Sequence, residues 1–149
     1  MNELLTNKTF IASFLAVVTA QIFKVIINLL LTKEINVKDG LGTGGMPSSH
    51  SAAVAAISTC VGILHGTGST FFAVTLVLSL VVISDAVGIR RAAGKHAEVL
   101  NEWSKIFSES FEHGFKPEDL RTLLGHTYPQ VFAGILLGCT SGALVAVYL

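Results

Sequence analysis

Four long apolar runs limit what this chain can fold into. They cover roughly Thr9 to Leu31, Ser48 to Leu64, Thr70 to Ile89 and Pro129 to Tyr148. Crossing a bilayer as a helix takes about 20 apolar residues. Backbone groups in lipid must all be hydrogen-bonded internally, so only helices and closed barrels span it. These runs are continuous and not alternating, which selects helices. The second run is short and polar at its ends. Only 13% of residues are charged, against about 25% in soluble domains, and mean hydropathy is +0.65. The sequence therefore predicts an all-α integral membrane bundle of four transmembrane helices in a single domain. A net charge of zero argues against a nucleic-acid partner. Cys60 and Cys139 lie within apolar runs and read as small buried hydrophobes. The first run lacks a basic flank and is too long for a signal peptide, so it reads as a retained helix.

Four spans put the first and third connections on one side of the membrane. Those connections hold Lys33, Lys38, Arg90, Arg91, Lys95, Lys105, Lys116 and Arg121, whereas the other side holds only Lys8. The positive-inside rule then predicts cytoplasmic connections and external termini. Within the third connection, Val99, Leu100, Trp103, Ile106, Phe107 and Phe111 recur at helical spacing, with Glu98, Glu102, Lys105 and Glu109 on the other face. This predicts an amphipathic helix on the cytoplasmic surface, inside an insertion of about residues 92–124. A second short helix is expected from Pro117 to Gly125, with Leu120, Leu123 and Leu124 as its apolar face.

Polar groups inside spans are costly and call for a reason. The stretch Gly44-Gly45-Met46-Pro47-Ser48-Ser49-His50 runs into the second span. It reads as a glycine-rich loop, a proline suited to a first helical turn, two hydroxyls and a histidine. Helix starts offer free N–H groups and a positive dipole end to anions. Gln21, Lys24 and Asn28 share a face of the first span. The amides suit interhelical hydrogen bonds; the ammonium needs an anion, either Asp85 or a bound phosphate. Asp85 and Arg90-Arg91 end the third span, and His126 precedes the fourth. The arginines suit phosphate oxygens, and Asp85 suits either an ion pair with Lys24 or an arginine, or a place beside a histidine. Gly134, Gly138 and Gly142 form a helix-packing face, within the chain or across a homodimer. His65, His96 and His113 carry little signal. His50, His126, Lys24, Asp85 and both arginines all fall on one side of the bilayer.

Pro47-Ser48-Ser49-His50 resembles the second signature of the type-2 phosphatidic acid phosphatase and vanadium haloperoxidase superfamily. His126-Thr127-Tyr128-Pro129-Gln130-Val131-Phe132-Ala133-Gly134 resembles its third. The likeness is to a small, divergent branch and extends from Gln21 to Gly142. It implies that His126 attacks phosphorus and forms a phosphohistidine, while His50 protonates the leaving oxygen. Ser48, Ser49, Lys24 and Arg90/Arg91 would hold the phosphate. Three departures stand out. Leu31 and Thr32 occupy the Arg-Pro positions of the first signature, so only Lys24 carries over. Arg121 stands five residues before His126 where the family arginine stands six before, which favours Arg90/Arg91. Gln130 replaces the aspartate that orients the attacking histidine, a place Asp85 is a candidate to fill.

The resulting expectation is a phosphatase acting on a lipid phosphate or diphosphate at a cytoplasm-facing site, without metal or other cofactor. Two alternatives belong to other classes. One is a non-catalytic protein that binds or carries anionic phospholipids, and the other a small structural membrane subunit.

Overall fold

The computed structural model describes residues 2–33, 45–110 and 118–149, with residues 2, 109 and 110 described through their backbone alone. Gly44, Phe111, His113 and Pro117 lie outside the described residues. Within them run α1 (Asn2–Leu5), α2 (Lys8–Thr32), α3 (Ser49–His65), α4 (Thr70–Val87), α5 (Ile89–Ser110) and α6 (Tyr128–Tyr148). Among the described residues α2, the apolar part of α4 and α6 are long and apolar enough to cross a membrane, and α3 is a shorter apolar helix; all four match the expected runs to within two residues at each end. Side chains set several starts. Asn7 Oδ1 accepts from Thr9 and Phe10 N–H at 2.9 and 3.1 Å, and Ser69 Oγ accepts from Phe72 N–H at 3.2 Å. Pro47 precedes the cap of α3 and is not in its first turn, because Ser48 takes the cap position.

The interior is built of small residues and the exterior of large ones. Ala12, Ala16, Ala20, Ala52, Ala56 and Cys60 are fully buried, whereas Phe71, Val74, Val77, Leu80 and Val81 of α4 are exposed. Water would not tolerate so broad an apolar exterior. In lipid no hydrophobic force draws large side chains inward, and small residues win because they let backbones approach. The fold is a helical membrane bundle.

α3 lies at its centre, packed against α2, α4 and α6. Its stripe Ser48, Ala52, Ala56 faces Gly134, Gly138, Gly142 of α6 in matching four-residue steps. The numbers rise together, so α3 and α6 run parallel and both start at the same end. The glycine ladder therefore packs within the chain. A Cβ at Gly138 would strike the Ala52 carbonyl oxygen and Ala55 Cβ. Overpacking of this kind costs about 1–3 kcal/mol. Gly138→Ala should lower unfolding stability in detergent by that amount, and an unchanged transition would contradict the ladder.

After α4, Gly88 breaks the helix for one residue where a Cβ would meet the Ser84 carbonyl oxygen at 2.8 Å, and the chain continues as amphipathic α5. Residues 118–124 are not helical, contrary to the sequence expectation. Instead this segment runs back along α5 as a strap, its backbone satisfied by other groups. Asn101 Nδ2 donates to the Leu120 carbonyl and Leu120 N–H donates to Asn101 Oδ1, both at 2.9 Å. Gly94 lets the strap pass, since a Cβ there would lie 2.7 Å from the Thr122 carbonyl oxygen. Gly125, at φ +77°, crosses directly on the Arg91 backbone. The strap ends at His126, whose N–H donates to the Ala86 carbonyl at 2.9 Å.

Candidate active site

Two parallel helices that start side by side bring two positive dipole ends together. Ser48 N–H donates to the Gln130 carbonyl at 3.0 Å and ties the α3 and α6 starts to each other. His50 is the second residue of α3 and His126 stands two residues before α6. His50 is exposed and His126 is 5% exposed.

Gln130 fixes the state of the His126 ring. Its Oε1 accepts from Thr127 N–H at 2.9 Å and lies 3.3 Å from His126 Nδ1. A backbone N–H must face oxygen, so this atom is the amide's acceptor. Nδ1 therefore carries the proton, and Nε2 keeps its lone pair. Burial, above all, holds the imidazole below its usual range, and the charges of Lys24, His50 and Arg90 act the same way; the Gln130 contact acts oppositely. Near neutral pH the ring is uncharged. Its folded state resists protonation, so this contribution to stability is full above about pH 6.5 and fades as pH falls below it.

Cations gather around the ring. Lys24 continues the buried stripe Ala12, Ala16, Ala20 by one more step of four, which carries its ammonium into the bundle at 4% exposure. Gly45 sits against its stem; a Cβ there would lie 3.8 Å from Lys24 Cδ. Arg90 pairs through Nε with Asp85 Oδ2. Arg91 shares with His126, Gln130, Gly45, Lys95 and Glu98 a cavity of about 260 Å³ roofed by the strap. Arg121 is exposed on the strap, outside that lining. Gln21, one turn before Lys24, has a buried Oε1 that accepts no hydrogen bond among the described residues.

The expected residues are thus distributed over several roles. Lys24, His50 and Arg90 bear electrostatically on His126. Asp85 is engaged by Arg90, and Gln130 holds the ring where the aspartate was considered. Ser48 is fully buried and accepts from Ser51 N–H and Ser51 Oγ at 3.3 and 3.0 Å, a capping role; Ser49 is buried beside it. Among the described residues no three His, Cys, Asp or Glu side chains form a metal-binding group. Sequence reading placed Gly45 in the anion-binding loop, and it does line the cavity; it missed Glu98 there and Asn101 under the strap. Thr127-x-x-Gln130 is a capping-box spacing, and that signal could have placed Gln130 at the helix start facing backward.

A chain of these spans with a histidine at two helix starts has relatives. The sequence profile described as the Divergent PAP2 family matches residues 5–141. The chain belongs to the divergent PAP2 family. That match takes in every site residue named above. The chain is also 40% identical over 146 residues to a Bacillus subtilis (strain 168) protein named Uncharacterized membrane protein YuiD, covering 91% of this chain and 92% of the relative. No solved structure matches it. As a member of the divergent PAP2 family, the protein is a membrane protein; of the three departures in its sequence, Gln130 lies at the His126 ring, whereas Leu31 and Thr32 end α2 and Arg121 is exposed on the strap.

Proposed function

We propose that this protein is a membrane phosphatase that hydrolyses a lipid phosphate or diphosphate through a phosphohistidine on His126. The observation that carries it is a buried imidazole whose Nδ1 lies 3.3 Å from Gln130 Oε1, which leaves the Nε2 lone pair for attack, with the charges of Lys24, His50 and Arg90 bearing on the ring. The Nε2 lone pair attacks phosphorus as the bond to the lipid oxygen breaks. His50, as imidazolium, gives that oxygen its proton. Water then attacks the phosphorus–nitrogen bond with His50 taking the water's proton, and inorganic phosphate leaves. Lys24, Arg90 and Arg91 stabilise charge on the non-bridging oxygens. The basic loops favour a cytoplasm-facing site with external termini.

A second reading has one observation in its favour. Gln130 stabilises an imidazolium less than a carboxylate would, which suits a protein that binds anionic lipids without turnover. Trapping separates the two. Purified protein mixed briefly with phosphatidic acid labelled in its phosphate and quenched in alkali should retain label on His126, because phosphohistidine is stable in base and labile in acid. Retention of bound lipid without covalent label or phosphate release would establish the binding reading.

A further inference from the structure

α5 has two sides that point almost opposite ways. At about 100° per residue, Val99, Leu100, Trp103, Ile106 and Phe107 share one side, whereas Gly94 and Asn101, which meet the strap, share the other. Between the two, an edge of Arg91, Lys95 and Glu98 lines the His126 cavity together with Gly45 and Gln130 at the helix starts. That edge fixes how α5 is turned about its own axis. The strap takes one side, the cavity takes the edge, and the apolar side is left outward. Its five side chains are each more than half exposed, and among the described residues α5 packs against no helix but α4.

Lipid is the partner that this side fits. It begins at Ile89, 75% exposed and a single residue beyond α4, whose Val77, Leu80 and Val81 form the lipid-facing exterior of a span. The apolar side therefore starts at the depth where that span ends. Its width, about 120° by helical spacing, exceeds the two-position seam of a coiled coil. Trp103 and Phe107, with ring centroids 5.8 Å apart, lie in its middle, and such aromatic rings sit at headgroup level. The rest of α5 is polar, as in helices that lie in the membrane surface.

We infer that this side of α5 is seated in the headgroup–acyl boundary of the membrane the bundle spans, and that the seat, acting through α5, holds the strap over the His126 cavity. The contacts between seat and site are continuous. Asn101 bonds the strap at Leu120, Gly94 passes it at Thr122, and Gly125 crosses the Arg91 backbone just before His126. An α5 lifted from lipid carries Asn101 with it and unroofs the cavity. The seat stands on α5 alone, and its effect on turnover rests on the phosphatase reading.

Trp103 is the sole tryptophan, so the emission of the purified protein in phosphatidylcholine nanodiscs reports this side of α5 alone. An interfacial helix sinks about 5–10 Å into the boundary, so phosphatidylcholine brominated high on its acyl chains should quench Trp103 about twofold, and lipid brominated near the chain ends should quench it less. Val99→Glu combined with Ile106→Glu should abolish that quenching. It should also lower both the affinity for inorganic vanadate and kcat/KM for phosphatidic acid about tenfold, as a slightly misplaced roof would. Unfolding of the bundle in detergent should not change, because no other helix packs on the altered side. Asn101→Ala, which frees the strap from a seated helix, should show the same losses with quenching intact. Emission indifferent to brominated lipid, or shielded only in discs that hold two copies, overturns the seat, and the second result gives this side to another copy of the chain. Vanadate affinity unchanged in both variants overturns the link to the cavity. Quenching and vanadate losses as stated, without phosphate release by any form, overturn the phosphatase reading and leave the seated strap standing.

Discussion

Replacing His126 with alanine should abolish phosphate release from lipid phosphates, a fall of at least about 10⁴-fold, as expected for loss of a covalent nucleophile. His126 is buried, and its N–H bond to Ala86 belongs to the backbone, so the strap keeps its anchor in the variant. Binding of inorganic vanadate or phosphate should therefore persist through Lys24, Arg90 and Arg91. His50→Ala tests a different step. Loss of a proton donor costs about 10²–10⁴-fold, and only where the leaving oxygen needs the proton. With para-nitrophenyl phosphate, whose leaving group is already a weak base, most of that deficit should vanish, and phosphohistidine should still form. His126→Ala should show no such recovery. A variant pair that loses activity equally on both substrates would leave His50 without its assigned role.

How far the sequence reached depends on the range of the interaction. Each span is a property of its own residues, and Lys24, His50 and His126 follow from where the spans begin and end. The ladder's partner was legible in principle, since Ser48, Ala52 and Ala56 repeat the step of Gly134, Gly138 and Gly142. One helix alone does not say which neighbour it faces. The strap was misread because Leu120, Leu123 and Leu124 between a proline and a glycine imitate a helix. So short an isolated helix has little stability of its own. Asn101, nineteen residues from Leu120, instead supplies the backbone hydrogen bonds, and such a pairing leaves no trace in local periodicity. Asp85 was a plausible partner for His126 by position along its helix; Arg90, five residues on, engages it instead.

Gln130 should prove nearly as sensitive as His126, in a way that separates orientation from charge. Gln130→Leu removes the acceptor for Nδ1–H and for Thr127 N–H together. The ring is then free to place its proton on Nε2, where it blocks attack. A wrong tautomer in another histidine enzyme costs about 10⁴ in kcat, so a fall of about 10²–10⁴ is expected here, with KM little changed. Gln130→Glu keeps the shape and both acceptor contacts but adds a negative charge beside Nδ1. That charge favours the imidazolium, so the His126 pKa must rise. In wild type the ring is held low, chiefly by burial, and the acid limb of kcat/KM should lie below about pH 6.5. In Gln130→Glu it should move upward, while kcat at the pH optimum stays within about tenfold of wild type. The carboxylate also stabilises positive charge on the ring as Nε2 bonds to phosphorus, so covalent label should accumulate faster. If Gln130→Glu loses as much activity as Gln130→Leu and its acid limb does not move, Gln130 serves only as the cap of α6, and the ring is held by something else.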